Sequence, residues 1–189
     1  MKMTGLIMAG GKSSRMGEDK ALLQINSQTF IQRILEVFQS VFEEVIILSN
    51  NPEMYKDSQV QVVPDLIKDK GPLGGLYTGL MKAKHQHCVI AACDMPFINL
   101  QITSYLAGLR GYQAVVPYVK ESYHPLFAAY SRDCLPIIEK QIRKEELKMV
   151  DFIKKIDTKI LYEKELLPLD PKLSCFININ TREEYNQFI

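Results

Sequence analysis

The chain has 189 residues, of which 47% are hydrophobic and 24% are charged. These fractions are ordinary for a globular protein, and a chain of this length can bury a core without disulfides or a structural metal. The 23 basic residues nearly balance the 22 acidic ones, and the net charge of +1 provides no global field for attracting nucleic acid or an anionic membrane. Disordered, fibrous and disulfide-dense classes are therefore excluded, and we expect one domain over residues 1–189 with neither nucleic acid nor membrane as a partner.

The cysteines and the apolar runs indicate the compartment. Cys88, Cys93, Cys134 and Cys175 form no Cys-x-x-Cys pair and match no zinc-binding spacing. The apolar segment near the N-terminus is too short for a signal peptide, and no apolar run approaches the ~20 residues that span a bilayer. We therefore expect reduced, buried thiols in a cytoplasmic protein.

Short apolar runs alternate with segments of helical periodicity over the first 116 residues. The runs predict strands over 4–9, 45–48, 61–63, 88–92 and 114–116, and the periodic segments predict helices over 30–42, 73–81 and 99–109. Thr29 with Gln32 is a capping box for the first helix, and Asn99 is a cap for the third. Strands that are apolar on both faces and alternate with helices predict a doubly wound, mostly parallel α/β sheet.

The rhythm changes after residue 117. Residues 118–130 predict extended chain or a hairpin arm, and residues 134–144 and 149–156 predict helices. Residues 176–179 predict a late strand. Asn178 and Asn180 share one face of an extended chain and could meet a ligand together, unless Asn180 simply precedes the Thr181 cap. Thr181 and Glu184 form a capping box for a terminal helix ending near residue 188.

Ligands of an open parallel sheet bind beyond the carboxyl ends of its strands, and a glycine-rich loop follows the first predicted strand. Its glycines allow backbone N–H groups to approach a phosphate, whose charge Arg15 and Lys20 would neutralise. The loop is not a P-loop, because Leu6 occupies the position of the first required glycine, and it does not match the dinucleotide-binding fingerprint. The alternative is a solvated turn carrying surface charges.

Carboxylates follow two further strands. Asp94 comes directly after the apolar run 88–92, where a bound Mg²⁺ would offset the cost of an unpaired charge, unless Asp94 caps the next helix. Asp65 precedes a glycine-rich helix start and is either a ligand contact or part of a surface turn. Asn50, after the second strand, suits contact with a base or ribose and equally suits a plain turn.

The combined motifs resemble one family. Residues 8–20 read MAGGKSSRMGEDK, which is similar to the signature loop of molybdenum cofactor guanylyltransferases. The same family's motifs recur in order through the rest of the chain, at Pro64-Asp65, Gly71-Pro72-Leu73-x-Gly75, Cys93-Asp94-Met95-Pro96, His124-Pro125 and Asn178-x-Asn180-Thr181-x-Glu183-Glu184. These matches extend from residue 5 to about residue 185.

The resemblance implies the fold of nucleotide-diphospho-sugar transferases and the transfer of GMP from GTP to the terminal phosphate of Mo-molybdopterin, with release of pyrophosphate. It implies catalytic roles for Arg15, Lys20 and Asp94, with Asp94 as the Mg²⁺ ligand. His124, Asn178 and Asn180 are candidates for the acceptor side. The expected GTP contacts are Met8, Ala9, Gly10, Gly11, Lys20, Asp65 and Asp94.

One position departs from the family pattern, because Leu48 stands where the family has asparagine and Asn50 follows two residues later. The substrates implied are GTP and Mo-molybdopterin, and proteins that carry molybdopterin or accept the cofactor are possible transient partners. Two other classes of function remain open. One is cytidylyl transfer to molybdopterin or another nucleotidyl transfer to a sugar or polyol phosphate, and the other is nucleotide binding without catalysis. Aligned in-line attack requires no covalent intermediate on the protein.

Overall fold

The protein is described by a computed structural model over residues 1–10 and 20–189. Gly11 and Arg15, two of the expected site residues, lie outside the described residues. Within those residues, the sheet has the order β10-β7-β9-β6-β1-β4-β5, with β8 paired to β7, and β2 and β3 form a separate hairpin. The strands are β1 (Thr4–Met8), β2 (Gln24–Ile25), β3 (Gln28–Thr29), β4 (Glu44–Leu48), β5 (Gln61–Val63), β6 (His87–Ala92), β7 (Ala114–Val119), β8 (Ser122–Tyr123), β9 (Phe127–Ser131) and β10 (Thr158–Tyr162).

Strand direction divides the sheet into two halves. In the parallel half, which comprises β5, β4, β1 and β6, all neighbours run the same way. In the mixed half, which comprises β9, β7, β8 and β10, β9 runs antiparallel to both β6 and β7. Since β1 lies between β4 and β6, the order of strands reverses beside β1, and this is the position where open α/β sheets bind ligands.

Successive strand residues point to opposite sides of the sheet, and here both sides are apolar. Helices cover both faces for this reason. Leu6 belongs to the core formed with the helices after β5 and β9, whereas Ile7 belongs to the core on the other face. The helices are α1 (Phe30–Val41), α2 (Gly71–Lys82), α3 (Leu100–Gly108), α4 (Leu135–Arg143), α5 (Met149–Ile153), α6 (Glu163–Leu166) and α7 (Arg182–Asn186). Short 3₁₀ turns occupy Lys20–Leu22, Pro52–Ser58, Arg132–Cys134 and Ser174–Phe176.

Most predicted elements are confirmed. Thr29 and Thr181 both form complete capping boxes, and the Asn99 side chain accepts a hydrogen bond from the backbone N–H of Ile102. The extended region after residue 117 enters the main sheet: β7 continues to Val119 and forms a hairpin with β8, while β9 pairs with β6. The doubly wound, mostly parallel sheet is thus confirmed, with β9 as an antiparallel insertion.

The predicted strand over 176–179 is wrong, and β10 is an element that the prediction missed. Leu173 adopts a left-handed conformation with φ 50° and precedes a 3₁₀ turn, and the Asp170 carboxylate accepts the backbone N–H of Cys175 at 3.1 Å. Further on, the backbone N–H of Ile179 donates to the carbonyl of Asp94. The segment is therefore held by turns and single contacts instead of a strand ladder.

No helix in the described ranges is both long enough and apolar enough to cross a membrane.

Candidate functional site

A cavity of about 920 Å³ lies at the carboxyl ends of the strands of the parallel half. Six of the predicted site residues line it: Met8, Ala9, Gly10, Lys20, Asp65 and Asp94. The other residues that line the cavity are Leu48, Ser49, Asn50, Asn51, Asp69, Gly71, Pro72, Gly75, Ala92, Cys93 and Leu126. The sheet therefore brings six expected residues, from four separate segments, to one place.

The end of β1 is held by its neighbours on both sides. The backbone N–H of Ala9 donates to the carbonyl of Leu48 at 3.0 Å, and the Met8 carbonyl accepts the N–H of Cys93 at 2.9 Å. A Cβ at Gly75 would lie 2.4 Å from Met8 Cε, so α2 approaches this strand end closely because residue 75 has no side chain. These contacts fix the backbone from which the glycine-rich loop departs.

Asn50 and Asp65 form a reciprocal pair at the ends of β4 and β5. The Asn50 amide nitrogen Nδ2 donates to Asp65 Oδ2 at 2.8 Å, and the backbone N–H of Asp65 donates to Asn50 Oδ1 at 3.0 Å. Asp65 is therefore not an isolated residue of a surface turn. Its carboxylate is held by Asn50 and lines the cavity. Leu48, which stands at the family's asparagine position, lies in the same wall, and Asn50 supplies the amide beside it.

Asp94 lies in the turn after β6 and does not cap the following helix, since Asn99 has that role. Its Oδ1 atom is buried and has no hydrogen-bond partner among the described residues. Burial raises the pKa of the Asp94 carboxyl, the charge of Lys20 opposes that shift, and the charge of Glu184 adds to it. A buried carboxylate oxygen without a partner favours a nearby cation.

Lys20 begins the 3₁₀ turn that follows the glycine-rich loop. Its Nζ donates to the Asn180 side-chain oxygen Oδ1 at 2.7 Å. Asn180 therefore stands beside the nucleotide-side residues, although it does not line the cavity itself. Asn178 is exposed, and the segment that contains both asparagines is not a strand.

His124 is half-buried and its ring packs on Phe176 with 4.9 Å between ring centroids. Burial lowers the pKa of His124, and the charge of Lys120 lowers it further. His124 is absent from the part of the cavity lining that the structure describes, whereas Leu126, two residues later, is present. Sequence reasoning missed Leu126, which carries no chemical signal of its own, and it missed Asp69.

Among the described residues, no group of three or more His, Cys, Asp or Glu side chains is arranged to hold a metal ion. Asp94 fits a different kind of site, because Mg²⁺ is usually held by one or two carboxylates together with phosphate oxygens of a substrate. The unpartnered Oδ1 atom is the ligand that such a site requires.

Comparisons with known proteins show the family of the chain. Residues 5–159 match the model of the MobA-like NTP transferase domain. A probable molybdenum cofactor guanylyltransferase of Clostridium perfringens is 37% identical, over 100% of this chain and 97% of that protein. The chain belongs to the molybdenum cofactor guanylyltransferase family.

Two further comparisons extend the agreement. A probable molybdenum cofactor guanylyltransferase of Pelotomaculum thermopropionicum is 38% identical over 96% of this chain and 89% of its own length. The crystal structure of molybdopterin-guanine dinucleotide biosynthesis protein A from Archaeoglobus fulgidus has a TM-score of 0.83, with 22% identity over 98% of this chain and 96% of that one. The residues matched by the family model include all the described residues that line the cavity, and the shared fold covers nearly the whole chain.

Proposed function

We propose that the protein transfers GMP from GTP to the terminal phosphate of Mo-molybdopterin and releases pyrophosphate. The single observation that carries this proposal is the convergence of Lys20, Asp65 and Asp94 on one cavity at the switch point of the sheet. The names of the relatives support the choice of nucleotide and acceptor.

Lys20 and Asp94 have complementary tasks in this proposal. The attacking phosphate and the α-phosphate of GTP are both anionic, so the reaction requires positive charge where they approach each other. Lys20 supplies an ammonium group next to the cavity, and Arg15, in the loop between Gly10 and Lys20, is proposed to supply a second cation. Asp94 would hold Mg²⁺, which when bound offsets charge on the triphosphate and on the departing pyrophosphate.

The backbone after β1 and the Asn50–Asp65 pair are proposed to bind the nucleotide. Met8, Ala9, Gly10 and Gly11 are proposed to contact GTP. The N–H of Ala9 and the carbonyl of Met8 already pair with Leu48 and Cys93, so Gly10, which is exposed, and Gly11 would present the backbone groups. The Asp65 carboxylate and the Asn50 amide also line the cavity, where they would pair with hydrogen-bonding groups of a base or ribose. His124, Asn178 and Asn180 remain candidates for the acceptor side.

We propose direct in-line transfer without a covalent enzyme intermediate, because aligned attack on the α-phosphate suffices. Burial raises the pKa of Cys88 and of Cys134 to about 12, and neither thiol is among the described residues that line the cavity. Cys93 does line it, so a covalent adduct is tested directly. We expect the mass of the denatured chain to be unchanged after turnover with GTP. A GMP adduct that survives denaturation would contradict direct transfer.

The function is tested by incubating the protein with Mg²⁺, Mo-molybdopterin and each of the four nucleoside triphosphates labelled with ³²P at the α-phosphate. Only GTP is expected to label the acceptor, and only GTP with Mg²⁺ is expected to raise the melting temperature strongly, because a ligand of the native state stabilises it. Preferred labelling from CTP would indicate the cytidylyl alternative. Strong binding of GTP without transfer to molybdopterin or a sugar phosphate would indicate a nucleotide-binding protein without catalysis.

A further inference from the structure

The contact between Lys20 and Asn180 joins residues that lie 160 positions apart in the chain. The donor is the ammonium Nζ, and the acceptor is the neutral amide oxygen Oδ1, at 2.7 Å. Hydrogen bonds to a charged donor are stronger than those between neutral groups. This contact is therefore able to hold a long, flexible side chain in one direction.

Asn180 has a backbone that is anchored on both sides. Its own N–H donates to Glu184 Oε2 at 2.6 Å, and the same oxygen accepts the N–H of Thr181 at 3.1 Å. The preceding residue, Ile179, is fully buried, and its N–H donates to the carbonyl of Asp94 at 2.9 Å. The amide oxygen of Asn180 is thus offered to Lys20 from a fixed position relative to Asp94.

Among the residues that the structure describes, local contacts hold the backbone of Lys20, and Asn180 accepts the hydrogen bond from its ammonium. The carbonyl of Lys20 accepts the N–H of Leu23 at 3.1 Å, and the next residue, Ala21, is buried in the core. A flexible four-carbon chain joins this backbone to the ammonium, and fixing its rotatable bonds costs conformational entropy. A stationary acceptor reduces that cost before the phosphates arrive.

We infer that Asn180 is a positioning residue for nucleotidyl transfer that acts through Lys20, and that Glu184 fixes Asn180 for this task. The inference rests on the proposed function for the role of Lys20 at the phosphates. It assigns to the terminal capping box a second task besides starting α7: the box holds the acceptor that aims the lysine. The competing role for Asn180 is direct contact with the molybdopterin acceptor.

A double-mutant cycle on Lys20 and Asn180 separates these roles, because two residues that act through one interaction are not additive. The variants are Lys20→Ala, Asn180→Ala and the double variant, and the measurements are calorimetric affinities for inorganic tripolyphosphate and GTP, each with Mg²⁺. We expect Asn180→Ala to weaken both affinities about tenfold, and Lys20→Ala to weaken them about ten- to hundredfold. In the Lys20→Ala background, Asn180→Ala is expected to have less than a twofold further effect.

Three results would overturn the inference. The first is a full tenfold effect of Asn180→Ala in the Lys20→Ala background. The second is unchanged affinity for both anions together with a raised KM for molybdopterin, which would indicate direct contact with the acceptor. The third is a wild-type protein that binds no tripolyphosphate at millimolar concentration, since Lys20 would then not lie at a phosphate site.

The role of Glu184 is tested against a variant that weakens the same helix start. Thr181 Oγ1 accepts the N–H of Glu184, so Thr181→Ala removes the cap of α7 and leaves the Glu184 carboxylate available to Asn180. We expect Glu184→Ala to weaken tripolyphosphate binding about as much as Asn180→Ala, with Glu184→Gln restoring most of it and Thr181→Ala changing it less than twofold. Equal losses in Thr181→Ala and Glu184→Ala would show that only helix stability matters.

These affinities also separate the inference from the proposed function. Tripolyphosphate carries neither guanine nor an acceptor, so its binding reports on Lys20 whatever nucleotide the protein transfers. If wild-type protein fails to transfer GMP but the cycle on tripolyphosphate is non-additive, the proposed function fails and the inference holds. If GMP transfer succeeds but the cycle is additive, the inference fails alone.

Discussion

The two halves of the sheet contribute different residues to the same cavity, because their strands run in different directions at its edge. In the parallel half, every strand leaves the sheet at the edge that carries the cavity. The second residue after each strand is polar or glycine, and these residues line the cavity: Gly10, Asn50, Asp65 and Asp94. In the mixed half, β9 enters the sheet at this edge, with Phe127 opposite Ala91 of β6. The segment before β9 contributes an apolar wall, in which Leu126 faces the cavity.

This difference follows from strand direction. Parallel strands deliver their carboxyl ends, and the loops that leave them, to one edge of a sheet. An antiparallel insertion brings an entering turn to that edge instead, and here the turn packs His124 and Phe127 against Phe176. We therefore expect substitutions in the parallel half to affect transfer more than stability, and substitutions in the mixed half to do the reverse.

The largest expected effect is on transfer, in Asp94→Asn. Asparagine keeps the size of the side chain but removes the charge proposed to hold Mg²⁺, so we expect the transfer rate to fall by several orders of magnitude. Transfer of labelled GMP at saturating Mg²⁺ provides the measurement. A variant with near-normal turnover would remove Asp94 from the metal site.

Stability of the same Asp94→Asn preparation provides the second half of the test. Burial raises the pKa of this carboxyl above its unfolded value, so the wild-type protein loses stability as the pH rises through the folded-state pKa. The asparagine variant does not ionise and avoids that loss. We expect its melting temperature at pH 7.5 to equal or exceed that of the wild type.

Phe152→Ala, in α5, tests the mixed half, where we expect a loss of stability instead of a loss of transfer. Phe152 is fully buried and packs on Tyr130 of β9 with 6.2 Å between ring centroids. Truncating a buried phenylalanine to alanine costs about 3–5 kcal/mol of unfolding free energy. We expect urea denaturation to show this loss, while kcat per folded molecule stays within about twofold of wild type. A large loss of kcat in the folded fraction would break the division between the halves.

Asn50→Ala is expected to have a smaller effect, in the parallel half. The substitution removes both hydrogen bonds to Asp65, so the carboxylate loses its fixed direction and GTP affinity falls about tenfold, as expected for a hydrogen bond to a charged group. The neighbouring Asn51 also lines the cavity, but its side chain does not cap the turn that follows. Asn51→Ala is therefore the control, and we expect calorimetry to show a smaller loss of GTP affinity for it than for Asn50→Ala. Equal losses of affinity would show that the Asn50–Asp65 pair is unimportant.

The smallest expected effect concerns His124 and pH. Because burial lowers the pKa of His124 in the folded protein, its contribution to stability is present above the unfolded pKa of 6.5 and is lost as the pH falls through the folded-state value. The unfolding free energy of the His124→Gln variant should therefore decrease less between pH 7.5 and pH 5 than that of the wild type. Identical pH dependence of the two proteins in urea titrations would contradict the buried, neutral imidazole.

Local patterns were sufficient to predict the parallel half. Its strands are apolar on both faces, and capping residues such as Thr29 and Asn99 mark where helices begin. β10 escaped prediction because only Leu161 in it is buried, so the strand lacks a clear apolar pattern. The alternation over 176–179 imitates a strand, but the left-handed Leu173 and the Asp170 carboxylate turn the chain there.

The candidate site was predictable as a set of residues but not as a set of pairs. Position after a strand identified Asp65, Asp94 and the loop ending at Lys20, because parallel topology collects such positions. The partners of these residues, Asn50 and Asn180, come from tertiary contacts between segments 15 and 160 residues apart. Neither periodicity nor spacing contains that information. The expectation of one domain over residues 1–189, and the role of each site residue, stay predictions.

The long separation between Lys20 and Asn180 has a consequence for synthesis of the protein. Ribosomes add about 5–20 residues per second, so the 160 positions between the two residues correspond to a delay of roughly 8–30 seconds. Once residue 92 has been added, the nascent chain contains every strand of the parallel half, whereas Asn180 is still to be synthesised. A growing chain therefore contains the strands that line the nucleotide cavity well before it acquires the residue that aims the ammonium group.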